Sequence, residues 1–203
     1  TFEVLDATNR IHLSDVVSKY GITQIYHLAA ILSAKGEANP LATWDLNMRM
    51  LFNVLEVARI HELHKVFFPS SIAVFGEDAP WVNTPNNAFL NPATVYGMSK
   101  AAGEQWAQYY FLRYGLDVKI RTAYNLAGSS FSPEDIVAEI RKYYPEFKIK
   151  YEPDFRQDIA ARWPKSINDV EATLDWGWKP KYDLEMIASA MIEKLKEQYI
   201  THE

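Results

Sequence analysis

Residues 91 to 115, NPATVYGMSKAAGEQWAQYYFLRYG, form the stretch that decides the fold. Apolar and small side chains recur through it at helical spacing, and Gly115 is of the residue type that commonly ends a helix. The stretch lies between two short apolar runs, HKVFF at 64–68 and LDVKIR at 116–121. Each run has the length of a buried strand, so the order strand, long helix, strand predicts two strands of one parallel sheet.

The same alternation continues towards the N-terminus. Residues 10–20 have a helical pattern, residues 22–30 (ITQIYHLAA) are typical of a buried strand, and residues 40–63 predict a helix that starts at Pro40. The first residues have a strand pattern that ends at Asp6. We therefore predict an α/β fold, a doubly wound parallel sheet covered on both faces, with a small C-terminal lobe.

The composition excludes several classes of protein. The net charge of −5 and the absence of any basic run argue against a nucleic-acid partner. No apolar run reaches the ~20 residues of a membrane span, so we expect no membrane association. The chain has no cysteine, and His61 and His64 lack a third ligand nearby, so we expect no metal site. The expected compartment is the cytoplasm, or the mitochondrial matrix for an animal protein.

Tyr96 and Lys100 lie one helical turn apart in the deciding stretch. A tyrosine titrates near ~10, so it acts as a base only where a cation stabilises its phenolate, and a lysine at i+4 can supply that cation. The helix follows the carboxyl end of the strand at 65–69, and ligands bind at this edge of parallel sheets. The pair predicts acid–base chemistry. The alternative is an ordinary half-buried tyrosine beside a solvated lysine.

The context of the pair favours the catalytic interpretation. TVYGMSK at 94–100 resembles the Y-x-x-x-K signature of the short-chain dehydrogenase/reductase family, in the form found in its extended, epimerase-like branch. PSSIAVFG at 69–76 resembles the loop that carries the catalytic serine or threonine of that family, and HLAA at 27–30 resembles the segment beside the cofactor. DWGWKP at 175–180 is similar to the closing pattern of the extended branch.

This resemblance implies an NAD-dependent enzyme with a Ser-Tyr-Lys mechanism. The implied catalytic residues are Ser71, Tyr96, Lys100 and Asn47. The implied contacts to NAD come from Asp6, Leu28, Ala29, Ala30, Asn47, Tyr96 and Lys100. The implied substrate contacts come from Ser33, Ser70, Ser71, Tyr96 and Trp163. A role in the hydrophobic core explains Trp163 equally well. Ser70 can also be a loop residue whose hydroxyl forms hydrogen bonds with the backbone at the end of a strand.

Three further stretches narrow the resemblance within the branch. Residues 31–40, 124–136 and 151–167 are similar to the short-chain type of L-threonine 3-dehydrogenases. That similarity implies a small amino acid substrate and the oxidation of L-threonine to 2-amino-3-oxobutanoate. Two alternatives stay open, a nucleotide-sugar epimerase or dehydratase and a catalytically silent dinucleotide-binding relative. Dehydratases usually place acidic residues beside the catalytic serine or threonine, and Ile72 and Ala73 provide none.

The chain departs from the family pattern at two places. Its eight glycines never form the G-x-x-G-x-x-G phosphate cradle. The resemblance also implies that a longer segment of the relatives is missing at Arg121–Thr122. We therefore predict a Rossmann-type dinucleotide-binding domain at 1–121 and a C-terminal substrate lobe at 122–203, both incomplete. Helices 40–63 and 94–114 are apolar over more than one face, and the resemblance implies that they pair across a two-fold axis in a homodimer.

Overall fold

The structure is a computed structural model, and it describes residues 2–118 and 124–200. Two strands are present in these residues, Gln24–Tyr26 (β1) and Lys65–Phe67 (β2), with a short 3₁₀ helix at Ile72–Val74. The described helices are Arg10–Tyr20 (α1), Ser33–Gly36 (α2), Pro40–Ile60 (α3), Val95–Tyr114 (α4), Pro133–Tyr143 (α5), Phe155–Ala160 (α6), Val170–Trp176 (α7) and Leu184–Ile200 (α8).

The two strands are parallel, as the alternation of elements predicted. Ile25 lies opposite Val66, and Val66 also forms a parallel bridge with Val118. The chain thus passes from β1 through α3 to β2, and from β2 through α4 to Val118. This arrangement confirms the α/β class with a parallel sheet and helical crossovers.

Capping residues account for the helix bounds. Asn39 and Pro40 begin α3, and Gly115 ends α4 in the left-handed region at φ 71°. The prediction for α4 was correct to one residue. Helix α3 ends three residues earlier than predicted because the backbone turns through positive φ at Glu62, after which Leu63 enters the core.

The main core lies where α1, α3 and α4 pack around β2. Its members are apolar side chains that are almost fully removed from water, among them Leu51, Leu55, Val57, Val66 and Val118. Burial of this kind contributes about 25 cal/mol for each Å² of apolar surface, so these contacts hold α4 firmly against α3. The candidate catalytic helix therefore packs against the main core.

Two strand predictions were wrong in detail. The buried strand expected at 22–30 is only three residues long, and Tyr26 is 64% exposed because β1 is the edge strand of the described sheet. The strand expected to end at Asp6 is absent, since residues 2–9 contain a turn instead. The predicted domain boundary at Arg121–Thr122 lies outside the described residues.

The C-terminal part of the chain is attached to the segment that follows β2. Thr84 forms a parallel bridge with Ile167, and α6 packs against α2. Helix α5 packs against α8, and its N-terminus has a capping box between Ser132 and Asp135. None of the described helices is long and apolar enough to cross a membrane.

Candidate active site

Helix α4 places Tyr96 and Lys100 together near the end of β2. The first turn of the helix is fixed at two points: Thr94 Oγ1 accepts a hydrogen bond from the Gly97 N–H at 3.1 Å, and Glu37 Oε1 accepts one from the first N–H of the helix at 2.8 Å. The ammonium of Lys100 lies 5.7 Å from the centre of the Tyr96 ring. The predicted pair is therefore close in space as well as in sequence.

Lys100 is buried, with only 4% of its surface exposed. Its Nζ donates a hydrogen bond to the carbonyl of Pro69 at 2.8 Å and lies 4.3 Å from the centre of the Phe68 ring. Burial lowers the pKa of Lys100 to about 8 because a charged amine is less stable away from water. The alternative of a solvated surface lysine is therefore wrong.

The serine loop, residues 69–73, contacts the first turns of α4. Ser71 Oγ accepts a hydrogen bond from the Ala73 N–H at 3.2 Å, and Ser70 Oγ donates a short hydrogen bond to Glu104 Oε1. A Cβ added at Gly97 would collide with the carbonyl oxygen of Ala73. A glycine at this position is thus what allows the serine loop to approach the helix so closely.

Asn47 fastens the segment after β1 to α4. Its amide accepts a hydrogen bond from the Ile31 N–H at 2.8 Å, donates to the Ile31 carbonyl at 3.1 Å and donates to Ser99 Oγ at 3.3 Å. Beside it lies a cavity of about 10 Å³, the size of one water molecule. The cavity is lined by His27, Ala29, Ala30, Asn47, Leu51, Phe68, Ser99 and Lys100.

The residues implied for NAD differ in their positions. Ala29 and Ala30 line the same cavity as Lys100, whereas Leu28 is 68% exposed beside them. Asp6 lies in an exposed turn, where the backbone N–H and the hydroxyl of Thr8 donate to its carboxylate at 2.9 and 2.8 Å. These two bonds lower the pKa of Asp6 below its ordinary value.

Ser33 and Trp163 lie on neighbouring elements. Ser33 is the first residue of α2 and is buried, and Trp163 follows α6, which packs against α2. Within residues 2–118 and 124–200, neither side chain forms a hydrogen bond with Tyr96 or Lys100. Their assignment as substrate contacts stays a prediction.

Three residues of this region had no recognisable signal in the sequence. Glu37 caps α4 from 58 positions upstream, and Glu104 binds Ser70 from 34 positions downstream. His27 is buried and stacks on Phe68, and burial together with the positive charge of Lys100 lowers its pKa to about 4. Each contact joins residues that are distant in sequence, so only the folded arrangement of the elements reveals it.

The donor set fits the nicotinamide end of NAD. The phenol of Tyr96 and the ammonium of Lys100 are donors of the kind that a pair of ribose hydroxyls needs. Ala29 is exposed and lines the same cavity as Lys100. The pyrophosphate end has no matching glycine-rich cradle among the 203 residues. Within the described part of the chain, no three His, Asp or Glu side chains are grouped closely enough to hold a metal ion.

Comparison with known proteins shows the family to which the chain belongs. The model of the NAD-dependent epimerase/dehydratase family matches residues 1–145. An uncharacterised epimerase/dehydratase of Staphylococcus haemolyticus is 35% identical over 97% of this chain and 84% of that protein. The holo form of an L-threonine dehydrogenase from Cupriavidus necator is 38% identical, with a TM-score of 0.92 over 96% of this chain and 86% of that one. A monomeric L-threonine 3-dehydrogenase from a metagenome is 34% identical, with a TM-score of 0.92 over 98% and 86% of the two chains.

The alignment with the staphylococcal relative also bears on the omitted segment. It extends over 267 positions, and this chain has 203 residues, so at least 64 positions have no counterpart here. That difference agrees with the predicted omission of an internal segment, although the predicted junction lies outside the described residues. The family match, the shared fold and the Tyr96–Lys100 geometry together show that the chain belongs to the NAD-dependent epimerase/dehydratase family, the extended branch of the short-chain dehydrogenases/reductases, whose cofactor is NAD(H).

Proposed function

We propose that this protein is an NAD-dependent dehydrogenase that oxidises L-threonine to 2-amino-3-oxobutanoate. The observation that carries the proposal is the buried Lys100 beside Tyr96, on a helix in direct contact with the serine loop. The likeness to L-threonine dehydrogenases at 34–38% identity supports the choice of substrate. The chemical class is the oxidation of a secondary alcohol.

Tyr96 is the general base in the proposed reaction. Its phenolate takes the proton from the threonine hydroxyl while the C–O bond becomes a carbonyl. The chemistry that a bound NAD would supply is the acceptor for the hydride that leaves the same carbon. Ser71 holds the substrate oxygen in the correct direction, which is a positioning role, and the ammonium of Lys100 stabilises the phenolate.

Burial makes Lys100 effective in this role. A charge in a dry environment acts on its neighbours more strongly than a charge in water, so the ammonium stabilises the Tyr96 phenolate more than an exposed lysine would. The Pro69 carbonyl and the Phe68 ring hold the amine in place. The pKa of about 8 lets Lys100 gain and release a proton close to neutral pH.

Asn47 and the adjoining cavity supply a path for that proton. A water molecule of the size of the cavity would contact Lys100 on one side and Asn47 on the other. We propose that Asn47 orders this water and so connects Lys100 with the solvent. His27, whose pKa of about 4 keeps it neutral, adds no competing positive charge to the cavity.

Substrate binding is proposed for short hydroxyl side chains and one aromatic ring. Ser33, Ser70 and Ser71 supply polar groups suited to a small amino acid, and Trp163 closes the pocket from the proposed C-terminal lobe, 122–203. The proposed domain at 1–121 then binds NAD. The hydroxyl proton of Ser70 is donated to Glu104, so Ser70 would contact substrate as a hydrogen-bond acceptor.

The test is a direct comparison of two substrate classes. The purified protein is mixed with NAD and either L-threonine or UDP-glucose, and NADH absorbance and sugar epimerisation are followed separately. We expect NAD reduction with L-threonine alone, and a loss of turnover of at least ~100-fold in Tyr96→Phe, which keeps the ring and removes the base. Epimerisation without threonine oxidation would support a sugar-nucleotide enzyme instead, and inactivity with both would support a silent relative.

A further inference from the structure

Three contacts hold the serine loop against α4, and they lie on both sides of Ser71. Before Ser71, Lys100 donates to the Pro69 carbonyl at 2.8 Å, and Glu104 accepts from the Ser70 hydroxyl. After Ser71, the carbonyl of Ala73 packs against the backbone of Gly97. Two consecutive loop residues are therefore bound by two side chains of the catalytic helix.

These side chains share one face of α4. Tyr96, Lys100 and Glu104 stand at positions i, i+4 and i+8, so successive helical turns present the proposed base, the cation and a carboxylate in one row. The row spans the region from the proposed reaction centre to the anchor at Ser70. Any displacement of Ser70 relative to Glu104 is passed on to Ser71 through a single peptide unit.

Glu104 is partly buried, and its position has an energetic cost. Burial raises the pKa of Glu104, while the hydrogen bond from Ser70 acts in the opposite direction. A carboxyl group away from water is unfavourable unless it is hydrogen-bonded, so the contact with Ser70 is what makes this position tolerable. The carboxyl group and the loop hydroxyl thus depend on each other.

We propose that Glu104 is a positioning residue, which holds Ser71 at the reaction centre by binding Ser70. The proposal deepens the function proposed above and rests on it for its kinetic test. Glu104 touches neither substrate nor cofactor in this scheme. It sets the distance between the serine loop and the helix that carries Tyr96.

The kinetic test compares Glu104→Leu with Glu104→Gln. Glutamine keeps an oxygen that accepts from Ser70, whereas leucine keeps the volume and removes the acceptor. We expect kcat for threonine to fall by ~30-fold in Glu104→Leu with KM changed less than ~3-fold, because misplacement by about 1 Å can cost two orders of magnitude. Glu104→Gln is expected to stay within ~3-fold of the wild type. An equal loss in both variants would overturn the proposal.

Two further variants separate positioning from simple destabilisation. Gln108→Leu, an exposed change on the same helix one turn after Glu104, is the matched control and should leave kcat unchanged. Ser70→Ala should also lower kcat, and adding Glu104→Leu to it should lower kcat no further, since the bond between the two residues is already absent in Ser70→Ala. Additive losses, or a Ser70→Ala effect on KM alone, would contradict the assignment.

Hydrogen exchange tests the contact without any activity. The amides of Ala73, Val74 and Phe75 are protected by Ser71 Oγ, the Ser71 carbonyl and the Ile72 carbonyl. Exchange in residues 70–76 should be at least ~5-fold faster in Glu104→Leu and close to the wild-type rate in Glu104→Gln and Gln108→Leu. Unchanged exchange in Glu104→Leu would refute the contact. The variants can show these exchange rates even if the wild type does not oxidise threonine. In that case the proposed function fails and the contact between Glu104 and Ser70 stands.

Discussion

At the scale of single residues, Lys100 shows most directly how function and stability oppose each other. Lys100 is 4% exposed, so its amine has lost most of its contact with water. The loss makes the charged form less stable, which lowers the pKa to about 8. A protein selected for stability alone would place an apolar side chain here. The retained amine, one turn from Tyr96, therefore supports a catalytic use of this position.

The first residue-scale prediction concerns Lys100→Met. The folded pKa of about 8 lies below the ordinary 10.5, so the unfolded chain binds more protons between these two pH values. Stability from this group therefore rises as pH increases from about 8 to 10.5. We expect the free energy of unfolding of the wild type, relative to Lys100→Met, to rise by roughly 1–3 kcal/mol across this window, as measured by urea unfolding at each pH. A constant difference between the two proteins would show that Lys100 is not desolvated.

The sequence predicted some of these residues for clear physical reasons. Tyr96 and Lys100 lie on one helix, where spacing alone determines that they share a face. The bond between Ser70 and Glu104 could not be predicted in this way because it depends on how α4 packs against the end of β2. The burial of His27 could not be predicted from the sequence either, since a histidine at a strand end is compatible with exposure or with burial.

At the scale of elements, the serine loop and α4 approach each other closely because α4 has a glycine, Gly97, at the point of contact. A side chain at Gly97 would meet backbone, which cannot move aside as a flexible side chain can. Gly103, further along α4, lies against the Phe68 ring, where an added Cβ would be 2.5 Å from a ring carbon. Both glycines bring α4 close to the chain that leaves β2.

The element-scale prediction concerns Gly97→Ala. The added methyl group should push the serine loop away from α4, so we expect kcat/KM for threonine to fall by ~10-fold or more and the free energy of unfolding to fall by about 1–3 kcal/mol. Gly128→Ala is the control, because a Cβ at that position meets nothing within 4 Å. Wild-type kinetics in Gly97→Ala would mean that the loop and the helix are not held at this distance.

The helices were predicted well and the strands less well. Caps such as Asn39, Thr94 and Gly115 are local signals, so the bounds of α3 and α4 follow from a few neighbouring residues. Strand length depends on which partner is available along the sheet. β1 is short and exposed because it is the edge of the described sheet, and no local pattern carries that information.

At the scale of the whole molecule, α3 and α4 leave an apolar surface exposed. Met98, Tyr109 and Leu112 lie along one face of α4 and are 47%, 47% and 73% exposed. Nearby, Trp106 packs edge-on against Phe52 at 4.9 Å, so the aromatic surface extends onto α3. Exposed apolar surface of this extent on packed helices is typical of an interface between protein chains.

The last prediction is that two copies of the protein pair through this surface. Light scattering at micromolar concentration should give a homodimer, since a second copy buries the same face of α3 and α4 on both sides of a two-fold axis. The double change Tyr109→Glu with Leu112→Glu should produce a monomer, because it places charges in the centre of the apolar stripe. Leu174→Glu, on α7 and 78% exposed, is the matched control and should stay dimeric. A monomeric wild type would contradict the prediction and would match the metagenome enzyme described as monomeric.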